Sequence, residues 1–280
     1  MITAHQNGRS VSVLLAARRI NPLSRLFQRE LAALLDKLET QRPQLTAVLI
    51  GFDADTADRN HELEHLMALT PVQAPDCMHM LAAYHALLRR LEHLGLPVTA
   101  TLSGDLCGHA FGLALACHRR IALHHARISL PQVLHGLAPS GGAIVRSVRL
   151  AGLQAAMPLL LDGATLSAAQ ALQAGLLDAV VADEAELNHA VLNKPTLTQR
   201  WQARDYQLPG GALDSAEIRA LLQVAPARLR AAHGTPAAQA VLCAMVEGLQ
   251  VDVDQALVIE SRYFCQTAIN QAPRKGSFSL

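Results

Sequence analysis

The sequence predicts an α/β fold that becomes wholly helical towards its C-terminus. Short β-branched runs alternate with amphipathic stretches as far as Val181, a helix of small residues follows one such run after a turn, and from Glu184 the apolar spacing is helical. These observations divide the chain into a core domain, residues 1–190, and a C-terminal helical region, residues 191–280. With 280 residues and 51% hydrophobic composition, the chain can bury a substantial core.

Val11 to Ala17 reads as the first strand, and Asn21-Pro22 opens a helix through Leu38 with apolar residues at Leu23, Leu26, Phe27, Leu31, Leu34 and Leu35. Leu45 to Ile50 has the composition of a buried parallel strand. A polar loop, Asp53 to Asn60, and a helix from about Glu62 follow. Pro75 to Leu94 repeats apolar residues at helical spacing (Met80, Ala83, Leu87, Leu88, Leu91), and Gly95 and Pro97 stop it. Pro97 to Leu102 is a strand, Ser103-Gly104 a turn, and Ala110 to Cys117 the small-residue helix. Short strands are expected at Ile121 to Leu123 and around Ile128. A second strand-and-helix alternation runs through Ser140 to Ala151, Ala155 to Leu161, Ser167 to Ala174 and Leu177 to Val181. Amphipathic segments at Ser215 to Leu229 and Pro236 to Ala268 fill the C-terminal region, ahead of a loose tail, Pro273 to Leu280.

The 24 basic and 23 acidic residues nearly cancel and form no groove-reading motif, which argues against a nucleic-acid partner. Charged residues interrupt every apolar run before membrane-spanning length, and the N-terminus has no signal-peptide core, so a cytoplasmic protein without a membrane span is expected. Five scattered cysteines without CxxC pairs read as reduced, mostly buried thiols. The thirteen histidines lack the remainder of a zinc pattern, and no metal is expected.

Leu96 to Gly104 (LPVTATLSG), Ala114 to Ala122 (ALACHRRIA) and Ile128 to Gly142 (ISLPQVLHGLAPSGG) occur in the order and register of the crotonase, or enoyl-CoA hydratase/isomerase, superfamily, which the chain resembles over nearly its whole length. The stretches Glu247 to Gln250 and Ala256 to Phe264 are similar to the hydratase end of multifunctional fatty-acid oxidation proteins. The resemblance implies a crotonase-like spiral of ββα turns with a C-terminal α-helical trimerisation region. It also implies a homotrimer or hexamer and an acyl-CoA or acyl-carrier-protein thioester as partner. Coenzyme A would enter only as part of the substrate; there is no nicotinamide fingerprint, and no separate cofactor is expected.

Thioester chemistry at the α or β carbon builds charge on the carbonyl oxygen, which the family stabilises with two backbone N–H groups. Carried over by register, one donor falls in Asn60-His61-Glu62-Leu63 and the other in Gly108-His109-Ala110, so His61, Leu63, Gly108 and His109 are candidate oxyanion and substrate-binding residues. The two histidines would polarise the carbonyl, bind another anion, fill the pocket, or contribute only their N–H groups. The family's two catalytic glutamates fall on Gly112 and Gln132, neither of which titrates near neutral pH. Asp105 reads as a solvated or capping residue. A dehalogenase branch, which also has glycine at the first position, places a histidine where His85 falls and an aspartate where Ser140 falls. His85 and Ser140 are therefore read either as a base and its partner or as a helix-face histidine and a turn serine. Three functions stand: a noncanonical thioester enzyme performing decarboxylation, isomerisation or thioester cleavage; a silent acyl-thioester-binding or partner-subunit homologue; and a conventional hydratase with its glutamates elsewhere.

Overall fold

β1 (Ile2–Asn7) and β2 (Ser10–Leu15) form an antiparallel hairpin from Ile2↔Leu15 to Asn7↔Ser10, turning at Gly8 with φ +59°. The computed structural model describes residues 2–53, 69–192, 197–231 and 235–270. β1 is absent from the sequence reading because it is a largely exposed edge strand with little apolar signal. β2 pairs parallel with β3 (Ala47–Phe52), β3 with β4 (Val98–Leu102), β4 with β6 (Arg119–Leu123), and β6 with β9 (Ala179–Val181). The six-stranded order is β1-β2-β3-β4-β6-β9, and β5 (Leu106–Cys107), β7 (Arg127–Ser129) and β8 (Leu166–Ser167) make a second sheet of three.

Helix α1 (Arg25–Gln41) starts later than Asn21-Pro22 suggests: the Asn21 side chain accepts from the Leu23 N–H in a local turn, and Ser24 is the cap, accepting from Phe27 N–H at 3.2 Å. It buries Phe27, Leu31, Leu34, Leu35 and Leu38, each such side chain contributing roughly 1.5–3 kcal/mol. Helix α2 (Ala74–Glu92) buries Cys77, Leu81, Tyr84, His85, Leu88, Leu91 and Glu92. The expected helix from Glu62, the positions His61 and Leu63, and the tail from Pro273 lie outside the described residues.

Helix α3 (Gly108–Leu115) is buried at every residue. Ser140 to Ala151 and Ala155 to Leu161 belong to no strand. From Ala143 they are the two arms of α4 (Ala143–Leu161), kinked at Gly152 with φ +79° and ψ 170°. A Cβ at Gly152 would lie 1.9 Å from the Pro209 carbonyl oxygen, so close approach of that loop requires glycine. α4 is long and apolar enough to cross a membrane by length and composition, but 83% of that window is buried inside the protein, as in a core helix. Helices α5 (Ala168–Gln173) and α6 (Glu184–Leu192) flank β9.

The C-terminal region contains α7 (Ala216–Ala231), α8 (Pro236–Gly248) and α9 (Val253–Asn270). The segment read as one amphipathic stretch, Pro236 to Ala268, breaks after Gly248, and Asp252 restarts the helix by accepting from Gln255 N–H at 2.8 Å. Helix α9 packs against α2, α4 and α8. Val241, Met245, Leu257 and Phe264 are consequently buried within the chain itself. None of the five cysteines is in a disulfide; Cys77, Cys117 and Cys265 are buried, and Cys243 is exposed.

Candidate active site

The N-terminus of α3 follows directly from β5. Cys107 is extended at the cap, Gly108 opens the helix with φ +58°, and His109 follows it. The first backbone N–H groups of a helix lack intrahelical acceptors and carry the positive end of its dipole, which suits a developing oxyanion. The His109 side chain is 3% exposed, and neither ring nitrogen has a hydrogen-bond partner among the described residues. Burial pushes its pKa down to about 4, so the ring is neutral near pH 7, with one donor and one acceptor unused. One turn on, a Cβ at Gly112 would meet Ala143 Cβ at 3.5 Å and the Ser140 carbonyl oxygen at 4.0 Å, ordinary contacts that leave room for a first side-chain carbon.

Gln132 sits in a 3₁₀ turn, Pro131–His135, closed by Gly136 at φ +77°. Its side chain is 3% exposed with Oε1 unpartnered among the described residues; the buried Ser140 hydroxyl is likewise unpartnered. Gly141 and Gly142 follow in left-handed conformation. A Cβ at Gly141 would touch Tyr84 Cε1 at 3.0 Å, while one at Gly142 would fall 1.6 Å from Arg146 Nη1. Arg146 is wholly buried: its Nε donates to Glu92 Oε1 at 2.7 Å and its Nη1 to the Gly141 carbonyl at 3.2 Å. The Ser140–Gly142 turn thus joins α2, α3 and α4.

Helix α9 supplies the remaining wall. Glu260 accepts from Gly142 N–H at 2.6 Å and Val145 N–H at 3.0 Å, capping α4 from outside its own sequence. Burial raises its pKa to about 7, opposed by those N–H groups and by Arg146. The adjacent Ser261 Oγ lies 3.0 Å from His85 Nε2 and donates to the Leu257 carbonyl at 2.8 Å. Burial, aided by the Arg146 charge, drives the His85 pKa down to about 3.

The structure therefore brings Gly108, His109 and Gly112 onto one short helix and sets Gly112 beside the Ser140 backbone. His85 bonds to Ser261, and no hydrogen bond joins it to Ser140 among the described residues. Asp105 binds Arg127 at 2.7 Å and ties β5 to β7. Sequence reasoning missed Glu260 and Ser261. Their signal was periodicity: both interrupt the apolar stripe of α9 formed by Ala256, Leu257, Phe264, Cys265 and Ala268. Among the described residues, no three His, Cys, Asp or Glu side chains form a group able to hold a metal ion.

The family model for enoyl-CoA hydratase/isomerase matches residues 7–208. Among solved structures, an enoyl-CoA hydratase from Bacillus halodurans is similar with a TM-score of 0.62 at 17% identity, over 98% of both chains. An enoyl-CoA hydratase from Mycobacterium avium subsp. paratuberculosis K-10 superposes with a TM-score of 0.59 at 21% identity, covering 97% of each chain. Pseudomonas aeruginosa DspI gives 0.57 at 22% identity, over 68% of this chain and 72% of its own. At these identities the structural likeness establishes the fold alone.

Proposed function

Because the chain belongs to the enoyl-CoA hydratase/isomerase family, we propose that it binds an acyl thioester of coenzyme A or a carrier protein and transforms it without the carboxylate pair used for hydration. The observation that carries this reading is a set of buried polar side chains on or beside the family motifs: His85 Nδ1, both His109 nitrogens, Gln132 Oε1 and Ser140 Oγ lack partners among the described residues. Leaving such groups unpaired costs about 1–3 kcal/mol each, and a polar ligand would remove that cost.

Of the three reactions open to such a site, decarboxylation of a malonyl-type thioester asks least of it. Proton abstraction for isomerisation is best served by a base with a pKa near the working pH, whereas burial holds both histidines well below it. Thioester cleavage through Ser140 needs a base bonded to its hydroxyl, and His85 is bonded to Ser261 instead. In decarboxylation the carbon–carbon bond electrons pass into the thioester carbonyl as carbon dioxide leaves. The N–H groups at the start of α3 hold the resulting enolate, and the α carbon then takes a proton from solvent. Assembly as a trimer or a pair of trimers belongs to the same proposal.

Malonyl-type, enoyl and saturated acyl thioesters incubated with the purified protein and followed by mass spectrometry test it. We expect loss of carbon dioxide from a malonyl-type thioester and negligible hydration of crotonyl-CoA. Hydration turnover of roughly 1 per second or more would restore the conventional hydratase. Tight binding of thioesters that all remain unaltered would replace the enzyme with a binding protein.

A further inference from the structure

The Ser261 hydroxyl has one hydrogen, and a carbonyl oxygen can only accept. Ser261 therefore spends its hydrogen on Leu257, at 2.8 Å, and can only accept from His85 Nε2 at 3.0 Å. Nε2 must then carry the proton of the neutral ring. The other nitrogen, Nδ1, is buried and has no partner among the described residues. Both residues are buried, His85 on α2 and Ser261 on α9, and α9 lies beyond the segment matched by the family model.

We infer that Ser261 is a positioning residue: it holds His85 as the Nε2–H tautomer and so presents the bare Nδ1 lone pair to a bound ligand. An anion set against Nδ1 would oppose one lone pair with another. The ligand must therefore place a hydrogen-bond donor there, a hydroxyl or an amide N–H, and turn any carboxylate away. Glu260, the residue before Ser261, is hydrogen-bonded to α4 at Gly142 and Val145, which fixes this turn of α9 and with it the height of Ser261 against α2. Only the identity of the ligand rests on the acyl-thioester reading; the tautomer does not.

Long-range proton–nitrogen spectra of the ¹⁵N-labelled full chain test the assignment, with His85→Gln identifying the His85 resonances by their disappearance. We expect a protonated-type shift at Nε2 and an unprotonated-type shift at Nδ1. In Ser261→Ala the two shifts should converge as both tautomers become populated, and Ser261→Thr should restore their separation. A proton on Nδ1 in the unmodified protein would overturn the inference without recourse to any variant, as would unchanged shifts in Ser261→Ala. Malonyl-CoA supplies the ligand arm: Ser261→Ala should weaken binding up to about tenfold and Ser261→Thr should recover it. If the spectra are as expected but no thioester binds, the acyl-thioester reading fails while the Ser261 assignment stands.

Discussion

At the scale of single residues, the site is defined by what its side chains cannot do. Gly112 has no proton to move and Gln132 does not titrate, yet the backbone around Gly112 accepts a first side-chain carbon and glutamate is close in shape to glutamine. Gly112→Glu combined with Gln132→Glu should therefore raise hydration of crotonyl-CoA at least about tenfold over the unmodified protein, whereas either change alone should not, because acid and base are both required. Loss of absorbance at the conjugated enoyl band measures it; equal rates in the double variant and the parent would show that the residues at positions 112 and 132 are not what limits hydration. Gln132 and Ser140 fall inside the ungapped stretch Ile128 to Gly142, and Gly112 lies between the two stretches before it, so their positions could be read by register. The partner of His85 could not: Ser261 is 176 residues away, and only the packing of α9 on α2 brings the two together.

Among the elements, α4 shows how a helix start is built from distant parts. Its cap residue, Gly142, has φ +85° and donates to Glu260, while Arg146 folds back under it on a buried ion pair with Glu92. Substitution by alanine would set a methyl carbon 1.6 Å from Arg146 Nη1 and 2.9 Å from Leu257 Cδ2, and the guanidinium cannot move without giving up its buried bonds to Glu92 Oε1 and the Gly141 carbonyl, which leaves Glu92 to Arg89 alone. Gly142→Ala should cost more than about 3 kcal/mol in urea unfolding. Gly210→Ala is the control: φ there is +80° with nothing within 4 Å of the added carbon, so only the backbone penalty of roughly 1–2 kcal/mol applies. Equal costs would mean that close packing at Gly142 contributes nothing. The helices with long apolar stripes, α1 and α2, were readable from periodicity to within a few residues at each end. The exposed β1 and the kink in α4 were not, because edge pairing and the close approach of Pro209 leave no local periodic signal.

For the whole molecule, three buried titratable groups set a pH dependence of stability whose shape follows from their signs. His85 and His109 have native pKa values of about 3 and about 4 against 6.5 for an unperturbed histidine, so below pH 6.5 the unfolded chain binds protons that the native chain refuses. Their contribution is full well above pH 6.5 and is lost as pH falls; His118, also lowered mainly by burial, acts in the same direction. Glu260 acts oppositely. Its native pKa of about 7 exceeds the unperturbed 4.5, so its contribution is full below pH 4.5 and is lost as pH rises towards 7. Between pH 5 and 6.5, two histidine protons favour the unfolded chain and one glutamate proton the native chain, a net one, so stability from these three groups should rise by up to about 1.4 kcal/mol per pH unit. At pH 6.5 each histidine of the unfolded chain is still half protonated, so the histidine and Glu260 effects come into balance only near pH 7, where stability from these three groups levels off. Urea midpoints across pH 5–8 measure the curve. Glu260→Gln should steepen its acid side, and His85→Gln with His109→Gln should flatten it. An acid side equally steep in the histidine double variant would show that these rings are not the groups whose protonation unfolds the protein.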